Sequence, residues 1–380
     1  MSGERLRILV SGMIAGDPWQ GGATAAVLQY VEGLRRLGHE VLVVEPVEAA
    51  ALRDERVASY FSSLAPLAGS AALLARGGTE TLGLPYARIE RFAREADLLL
   101  NISGMLRDER LLEPVPVRAF LDLDPGFNQV WAAEGLDFGL DLHTHCASVG
   151  VRIGEPGCPI PTLGRVWLAT LPPVVLPDRP AVGDGRAWTT VGNWRSYGSP
   201  TFEGVRYGQR AHSLRGLIDL PRRTPAEFAL ALDIHPDEWS DLAALAENGW
   251  PLVEPRAVAG TPAAYARFVR GSRGAFGVAK EGYVVSQGGW FSDRDAAYLA
   301  HGRPVVAQDT GFGAALPTGT GLLAFEDTAG AAAAIEVVEA DLASHRRSAR
   351  EIAGEYLDSA RVLPALLERL AVPEPRGALR

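Results

Sequence analysis

The feature that most constrains the fold of this sequence is a repeated alternation of short apolar segments with amphipathic helical patterns. Residues 6–10 read as a buried strand, residues 13–22 as a glycine-rich loop, and residues 41–44 as a second strand after an intervening helix. Such a βαβ unit builds a parallel sheet. Further apolar segments at 98–101 and 117–122 end in polar residues, which predicts a carboxyl edge carrying Asn101, Asp122 and Asp124.

A proline-rich stretch between residues 156 and 180 interrupts this alternation. Proline removes backbone donors and disfavours helix before it, so the stretch reads as an irregular connector. The alternation then restarts, with strands predicted at 188–191, 228–232, 275–278, 304–308 and 322–325, and helices at 208–220, 237–248, 262–270, 292–301 and 329–342. The sequence therefore predicts two Rossmann-like α/β domains that face a cleft, at residues 1–178 and 179–343. Residues 344–380 are predicted to form a helix that crosses back to the first domain, followed by a tail.

Composition narrows the classes of partner and compartment. The chain has 37 basic and 46 acidic residues, a net charge of −9, and no basic cluster, so nucleic acid is not expected as a partner. Cys146 and Cys158 stand in no disulfide or metal spacing, which favours a reducing cytoplasm. No apolar run reaches the length of a transmembrane helix. A cytoplasmic protein without a transmembrane segment is expected.

One basic residue stands out from the others. Lys280 is the only lysine among the 37 basic residues, and it follows the predicted strand 275–278 at the carboxyl edge. A compact ammonium charge there suits a diphosphate, although a solvated surface lysine is the alternative. Arg195, after the first strand of the second domain, is another candidate, and Arg294 is a third.

The segment 286–313 contains the strongest pattern for anion binding. Gly288 and Gly289 precede Ser292 or Asp293, either of which can cap the predicted helix that follows. A helix N-terminus after glycines binds diphosphate through its free backbone N–H groups. An ordinary glycine turn with an N-cap accounts for the same residues equally well.

Three stretches together carry a resemblance to a known family. Residues 21–22 begin a helical pattern that ends in the Leu-Gly-His-Glu-Val of residues 37–41; residues 289–292 precede an Ala-His-Gly-Arg-Pro-Val-Val at 300–306; and a Gly-Leu-Leu is followed by Asp at 321–327. In their order and separation they resemble the nucleotide-sugar-dependent glycosyltransferases of the two-Rossmann, glycosyltransferase-B architecture.

The resemblance implies transfer of a sugar from a nucleoside diphosphate sugar to a hydroxyl acceptor, which is a small molecule, natural product or glycan. It implies no cofactor and no metal. Residues 122–127 and 158–162 resemble uncharacterised bacterial members of the superfamily. The expected donor contacts are Arg195, Lys280, Gly289, Ser292 and Asp293 for the diphosphate, and Gln308, Asp309, Thr310 and Gly311 for the sugar. Asp309 could instead simply initiate a turn before Thr-Gly.

Catalytic candidates lie in the first domain, where a carboxylate or imidazole could deprotonate the acceptor hydroxyl. They are Asp17, in the loop after the first strand, and the pair His143 and His145, which would share one face of a strand. For each histidine, a structural hydrogen-bonded role is the alternative. Many retaining members of the family carry two glutamates where this chain has Gly289 and Ala297, and many inverting members carry a histidine where it has Gln287, so the stereochemical outcome stays open.

Three other functions are weighed against transfer. A sugar-nucleotide epimerase would share the fold, and the missing glutamates make a catalytically inactive nucleotide-sugar-binding scaffold credible. A nicotinamide dehydrogenase is disfavoured, because residues 11–16 lack the G-x-G-x-x-G spacing that seats a pyrophosphate on the first helix.

Overall fold

The computed structural model describes residues 5–181, 183 and 185–371, which form two α/β domains. The first domain contains an eight-stranded sheet in the order β4-β3-β2-β1-β5-β6-β7-β8, in which only the pairing of β3 with β4 is antiparallel. Its strands are β1 (Arg7–Ser11), β2 (Glu40–Val47), β3 (Ala71–Ala75), β4 (Thr81–Gly83), β5 (Leu98–Ile102), β6 (Val117–Asp122), β7 (His145–Ser148) and β8 (Trp167–Ala169). Its helices are α1 (Gly21–Arg36), α2 (Glu55–Ser63), α3 (Tyr86–Glu95), α4 (Glu109–Leu112) and α5 (Phe127–Ala133).

The second domain contains a five-stranded, fully parallel sheet in the order β12-β9-β13-β14-β15, with the short hairpin of β10 and β11 beside it. The strands are β9 (Ala187–Asn193), β10 (Thr201–Phe202), β11 (Val205–Arg206), β12 (Glu227–Asp233), β13 (Gly274–Gly277), β14 (Val305–Gln308) and β15 (Leu322–Phe325). The helices are α6 (Arg210–Arg215), α7 (Trp239–Glu247), α8 (Pro255–Ala259), α9 (Pro262–Gly271), α10 (Glu281–Ser286), α11 (Asp293–Ala300), α12 (Thr328–Ala340) and α13 (Leu342–Ile352). The last helix, α14 (Ser359–Arg369), returns to the first domain.

Both sheets are buried on their two faces, which explains why their central strands are almost uninterrupted apolar runs. In each sheet the chain order reverses beside the first strand, between β1 and β5 and between β9 and β13. Open sheets bind ligands outside the carboxyl ends of the strands at such a reversal. The prediction of two Rossmann-like domains with their carboxyl edges at a cleft is therefore confirmed.

The C-terminal helices connect the two domains. Instead of the continuous helix predicted from residue 344, the chain forms α13, a π-helical turn at Ala353–Leu357, and α14. Helix α13 packs on α11 in the second domain, whereas α14 packs on α1 in the first. A Cβ on Gly33 of α1 would lie 2.6 Å from Leu363 Cδ1, so this contact requires a glycine.

An aromatic cluster also joins the domains. Phe127 of α5 packs edge-on against Tyr197, Tyr207 and Tyr283 of the second domain, with ring centroids 5.2 to 6.2 Å apart. Tyr283 in turn stacks on Trp290 at 4.1 Å. This interdomain aromatic cluster links α5 to the second domain. In the described part of the chain, no helix combines the length and the apolar character needed to span a membrane.

Candidate active site

A cleft of about 440 Å³ lies between the carboxyl edges of the two sheets. The first domain contributes the loop after β1, the N-terminus of α1 and the ends of β5 and β6. The second domain contributes the ends of β9 and β12, the residue Lys280 after β13 and the N-terminus of α11. The N-terminus of α8, with Glu254, Pro255 and Arg256, lines the cleft as well, so three helix N-termini reach it, one from the first domain and two from the second.

A buried carboxylate shapes the loop after β1. Oε2 of Glu45, on β2, accepts hydrogen bonds from the backbone amides of Ile14, Ala15 and Gly16 at 2.9, 2.7 and 2.9 Å. Burial raises the pKa of Glu45 in spite of these three donors. The carboxylate occupies the amides that a dinucleotide-binding domain offers to a phosphate in the corresponding turn. The loop is therefore fixed from inside, and Asp17 projects from it into the cleft.

The two aspartates after β6 have different roles. Asp122 is fully buried and accepts hydrogen bonds from the side chains of Asn128, Gln129 and Ser148 at 2.7 to 2.8 Å, so it fixes the turn that leads into α5. Asp124, two residues later, extends into the cleft.

Lys280 pairs with Asp124 across the domain boundary. Its Nζ lies 2.8 Å from Asp124 Oδ1 and 3.9 Å from the centroid of the Tyr197 ring. The hydroxyls of Tyr197 and Tyr283 donate to the same carboxylate oxygen, and Lys280 also donates to the Tyr197 hydroxyl. Burial alone would raise the pKa of Asp124, but the Lys280 ammonium and the two tyrosine hydroxyls outweigh it and lower the pKa to about 2. Asp124 is therefore ionised at neutral pH. Burial lowers the pKa of Lys280, and the Asp124 carboxylate opposes that shift.

Two arginines accompany Lys280 on the second domain's side of the cleft. Arg210 donates from Nε to the Val278 carbonyl at 2.8 Å and from Nη1 to the Asn193 carbonyl at 2.7 Å, which fixes it at the ends of β13 and β9. Arg294 is the second residue of α11 and lines the cleft beside it. The three cations and the N-terminus of α11 form a site with the electrostatics for a diphosphate.

A small polar cavity of about 20 Å³ lies beneath α11, roughly the room of one water molecule. It is lined by Asp295, whose pKa burial raises to about 7 while Arg294 opposes the shift. Gln308 lines the same cavity, and its Oε1 has no hydrogen-bond partner among the described residues. The Asp295 carboxyl and the Gln308 amide thus line a cavity that Arg210 and Arg294 also line.

The structure brings half of the expected site residues to this region. Asp17, Lys280 and Asp293 line the cleft. Ser292, Gln308 and Thr310 line the cavity beneath α11. Ser292 is the N-cap of that helix and accepts from the amides of Arg294 and Asp295 at 3.2 and 3.4 Å, as expected for a capping serine.

The structure contradicts the catalytic expectation for the two histidines. His143 precedes β7 and is buried, with Nδ1 2.8 Å from the Gly139 carbonyl and Nε2 3.0 Å from Asn101 Nδ2, and burial lowers its pKa to about 4. His145 is the first residue of β7 and so lies at the amino end of the strand, away from the cleft. They share no strand face, and the structural alternative applies to His143.

Four expected donor contacts are also used elsewhere. The Arg195 side chain pairs with Glu238 outside the cleft. A Cβ on Gly289 would lie 2.5 Å from Val151 Cγ2 of the first domain, so this glycine serves the contact between the domains. Asp309 Oδ1 accepts from the Gly311 amide at 2.9 Å, which is the turn-forming role stated as the alternative, and neither residue lines the cleft.

Sequence reasoning missed several cleft residues. Asp124 was placed at the carboxyl edge by its position after β6, but its pairing with Lys280 was not foreseen. Tyr197, Tyr283 and Arg210 follow no recognisable pattern in the chain. Their approach to the cleft depends on contacts between segments that are distant in sequence.

The fold and the cleft define an α/β protein in which two Rossmann-like domains enclose a cleft. No protein-family model and no curated protein sequence matches the chain. Solved structures do match over almost its whole length. An alpha-glucosyltransferase in complex with UDP-glucose and DNA containing an abasic site is 13% identical, with a TM-score of 0.60, and the match covers 97% of this chain and 100% of that one.

A second structure, of HepE from Anabaena in complex with UDP and glucose, is 13% identical with a TM-score of 0.59, and covers 97% of this chain and 100% of its own. The same protein in complex with UDP-glucose is 14% identical with a TM-score of 0.56, over 96% of this chain and 99% of that one. At these identities the likeness establishes the fold. The chain has the glycosyltransferase-B fold, which confirms the expected architecture.

Proposed function

We propose that the protein is a glycosyltransferase that moves a sugar from a nucleoside diphosphate sugar to a hydroxyl acceptor. The observation that carries the proposal is the convergence of Arg210, Lys280 and Arg294 with the N-terminus of α11 on one wall of the cleft. This wall can neutralise the diphosphate of the donor and the charge that the leaving nucleotide gains. The UDP and UDP-glucose bound in the structural neighbours support this reading of the site.

In this proposal Asp17 is the general base. Its exposed carboxylate lies on the wall opposite the three cations. The acceptor oxygen would form its bond to the anomeric carbon as the bond from that carbon to the phosphate oxygen breaks, and Asp17 would take the hydroxyl proton. Asp124 is a poor base for this step, because Lys280 and two tyrosine hydroxyls hold its pKa at about 2 against the opposing effect of burial.

The loop after β1 argues against a dinucleotide-dependent oxidoreductase. Glu45 already accepts hydrogen bonds from the three loop amides, so a pyrophosphate there would meet a carboxylate. Both cysteines are free thiols. The free thiols fit a cytoplasmic enzyme, and the resemblance of residues 122–127 and 158–162 to bacterial proteins supports a bacterial one. In this proposal the enzyme uses no cofactor beyond its nucleotide-sugar substrate.

The test has two parts. Thermal melts with UDP, dTDP, GDP and NAD should show stabilisation by a nucleoside diphosphate, which amounts to about 2.7 kcal/mol at a hundred times the dissociation constant. Incubation with a panel of nucleotide sugars and alcohols, followed by mass spectrometry, should then detect a free nucleoside diphosphate and a glycosylated alcohol. Stabilisation by NAD alone would overturn the proposal. Nucleotide binding without any product would identify a scaffold, and an isomerised nucleotide sugar would identify an epimerase.

A further inference from the structure

The basic side chains of the cleft all lie on one side, whereas acidic side chains lie on both, with Asp233, Glu254 and Asp293 on the side of the second domain. Every basic side chain that lines it belongs to the second domain: Arg210, Arg256, Lys280 and Arg294. The lining residues of the first domain, within the described chain, include no lysine, arginine or histidine. Their two carboxylates are Asp17 and Asp124, and Asp124 is paired with Lys280. A ligand bound against the first domain therefore contacts no basic side chain of that domain. Among the lining residues described, the only cation paired with that domain is Lys280 of the second domain, through Asp124.

Apolar side chains cover much of the first domain's side. We call Met13, Trp19, Ile102, Met105 and Leu123 the apolar wall. Met13 is 38% exposed and Trp19 is 36% exposed, although large apolar side chains are normally covered. Apart from Met1, the two methionines of this wall are the only ones in the chain. Methionine is flexible and polarisable, and it adapts to apolar ligands of varied shape.

The loop that carries Met13 and Trp19 is fixed by contacts within the first domain. Trp19 has a φ of +70°, a left-handed conformation that is strained for a residue with a bulky side chain. Its ring packs on Tyr60 with centroids 5.1 Å apart, and the Tyr60 hydroxyl lies 2.8 Å from Thr24 Oγ1 on α1. Glu45 fixes the other end of the same loop. Strain maintained by surrounding contacts is typical of functional sites.

We infer that the acceptor is an uncharged, predominantly apolar small molecule that carries a hydroxyl group, an aromatic alcohol being the simplest case. The inference rests on the proposed function and specifies its acceptor. The apolar part of the acceptor packs on the apolar wall, and its hydroxyl lies at Asp17, between Met13 and Trp19 in the loop. A polyanion such as the DNA in one structural neighbour would place phosphates against a wall whose only free charge is negative.

The test measures binding separately from turnover. The dissociation constant of 2-naphthol is measured by calorimetry with saturating UDP present, beside maltose and a short DNA duplex as competing acceptor classes. We expect 2-naphthol to bind at least tenfold more tightly than maltose, and the duplex not to bind. Tighter binding of maltose or of DNA, with UDP bound normally, would overturn the inference while leaving the proposed function intact. Failure of UDP itself to bind would remove the proposed function first.

A matched pair of variants checks the location. Glutamine has nearly the shape of methionine but carries a polar amide, so the double variant Met13→Gln, Met105→Gln should weaken 2-naphthol at least fivefold and leave UDP affinity unchanged. Val166→Gln is the control, because Val166 is 80% exposed and lies outside the cleft. Equal 2-naphthol affinity in the double variant and the control would place the apolar ligand elsewhere and refute the assignment.

Discussion

Replacing Lys280 with alanine separates two roles that the structure allows this side chain. Lys280 can hold the two domains together through Asp124, or it can bind the diphosphate of a donor. Asp124→Asn is the matched variant, because it removes the carboxylate charge while keeping the size of the side chain. It leaves the Lys280 ammonium free to meet a phosphate.

The magnitudes follow from the contacts. A hydrogen bond from an ammonium to a charged group contributes roughly 1.5 to 3 kcal/mol, so Lys280→Ala should weaken UDP binding by about ten- to a hundredfold. The ion pair also contributes to stability. Lowering the pKa of Asp124 from 3.8 to about 2 corresponds to roughly 2 kcal/mol of folding free energy at neutral pH. Because the folded pKa is depressed, that contribution is present above pH 4 and is lost as the pH falls toward 2.

Calorimetry with UDP, together with urea unfolding at pH 7, distinguishes the roles. We expect Lys280→Ala to lose affinity and less than about 2 kcal/mol of stability, because the tyrosine hydroxyls still stabilise Asp124 and burying the Lys280 ammonium is itself unfavourable. Asp124→Asn should lose stability but keep or improve its affinity for UDP. Equal losses of affinity in the two variants would show that Lys280 acts only as a link between the domains. A folded Lys280→Ala protein with unchanged affinity would refute the diphosphate assignment outright.

Two further predictions concern acids near α11 and β14. Burial raises the pKa of Asp295 from 3.8 to about 7. The contribution of Asp295 to the stability of the folded protein is therefore greatest below pH 4, and it is lost as the pH rises through 7 and the buried carboxyl ionises. The stability of Asp295→Asn relative to the natural chain should therefore rise by up to about 4 kcal/mol between pH 4 and 8, and a flat difference in urea unfolding would argue against this burial. Asp309→Ala removes the hydrogen bond that forms the turn, so the free energy of unfolding should fall by about 1 kcal/mol and the melting temperature should fall with it. The affinity for UDP should not change. A tenfold loss of turnover in Asp309→Asn at an unchanged melting temperature would instead show that the carboxylate contacts the sugar.

The strands of this fold are predictable from sequence where they are rich in branched or aromatic apolar residues. The expected strand at 188–191, which reads Trp-Thr-Thr-Val, lies within β9, and the one at 304–308, with two valines, contains β14. Strand β3 was not predicted, because its sequence, Ala-Ala-Leu-Leu-Ala, consists of residues with strong helical propensity. Burial between its neighbours, rather than local preference, makes it a strand.

The helical C-terminus illustrates a different limit. Alanine, arginine and glutamate continue through residues 344–370 and predict one helix. The break occurs where Asp358 caps α14 by accepting from the Ala360 amide at 2.9 Å, and where the chain passes from one domain to the other. Such a break is dictated by the surfaces on which the helices pack, which the local sequence does not describe.

In the candidate site, position relative to a strand decided which of the expected residues reach the cleft. Asp17 and Lys280 follow the carboxyl ends of strands and reach the cleft, whereas His145 begins a strand and does not. The chemistry of a histidine was mistaken for evidence of its location. The partner of Lys280 lies 156 residues away in the chain, and no local pattern encodes that pairing.

The position of α14 also bears on how the protein is made. Leu363, Leu366 and Leu370 belong to the same core cluster as Val10 and Val31, so the first domain completes its interior with the last described residues of the chain. During synthesis the ribosome must release the entire second domain before those leucines emerge. Until then, the face of α1 around Gly33 stays uncovered. The first domain therefore cannot complete its core until α14 has been synthesised, and the growing chain has to keep that apolar surface from aggregating until then.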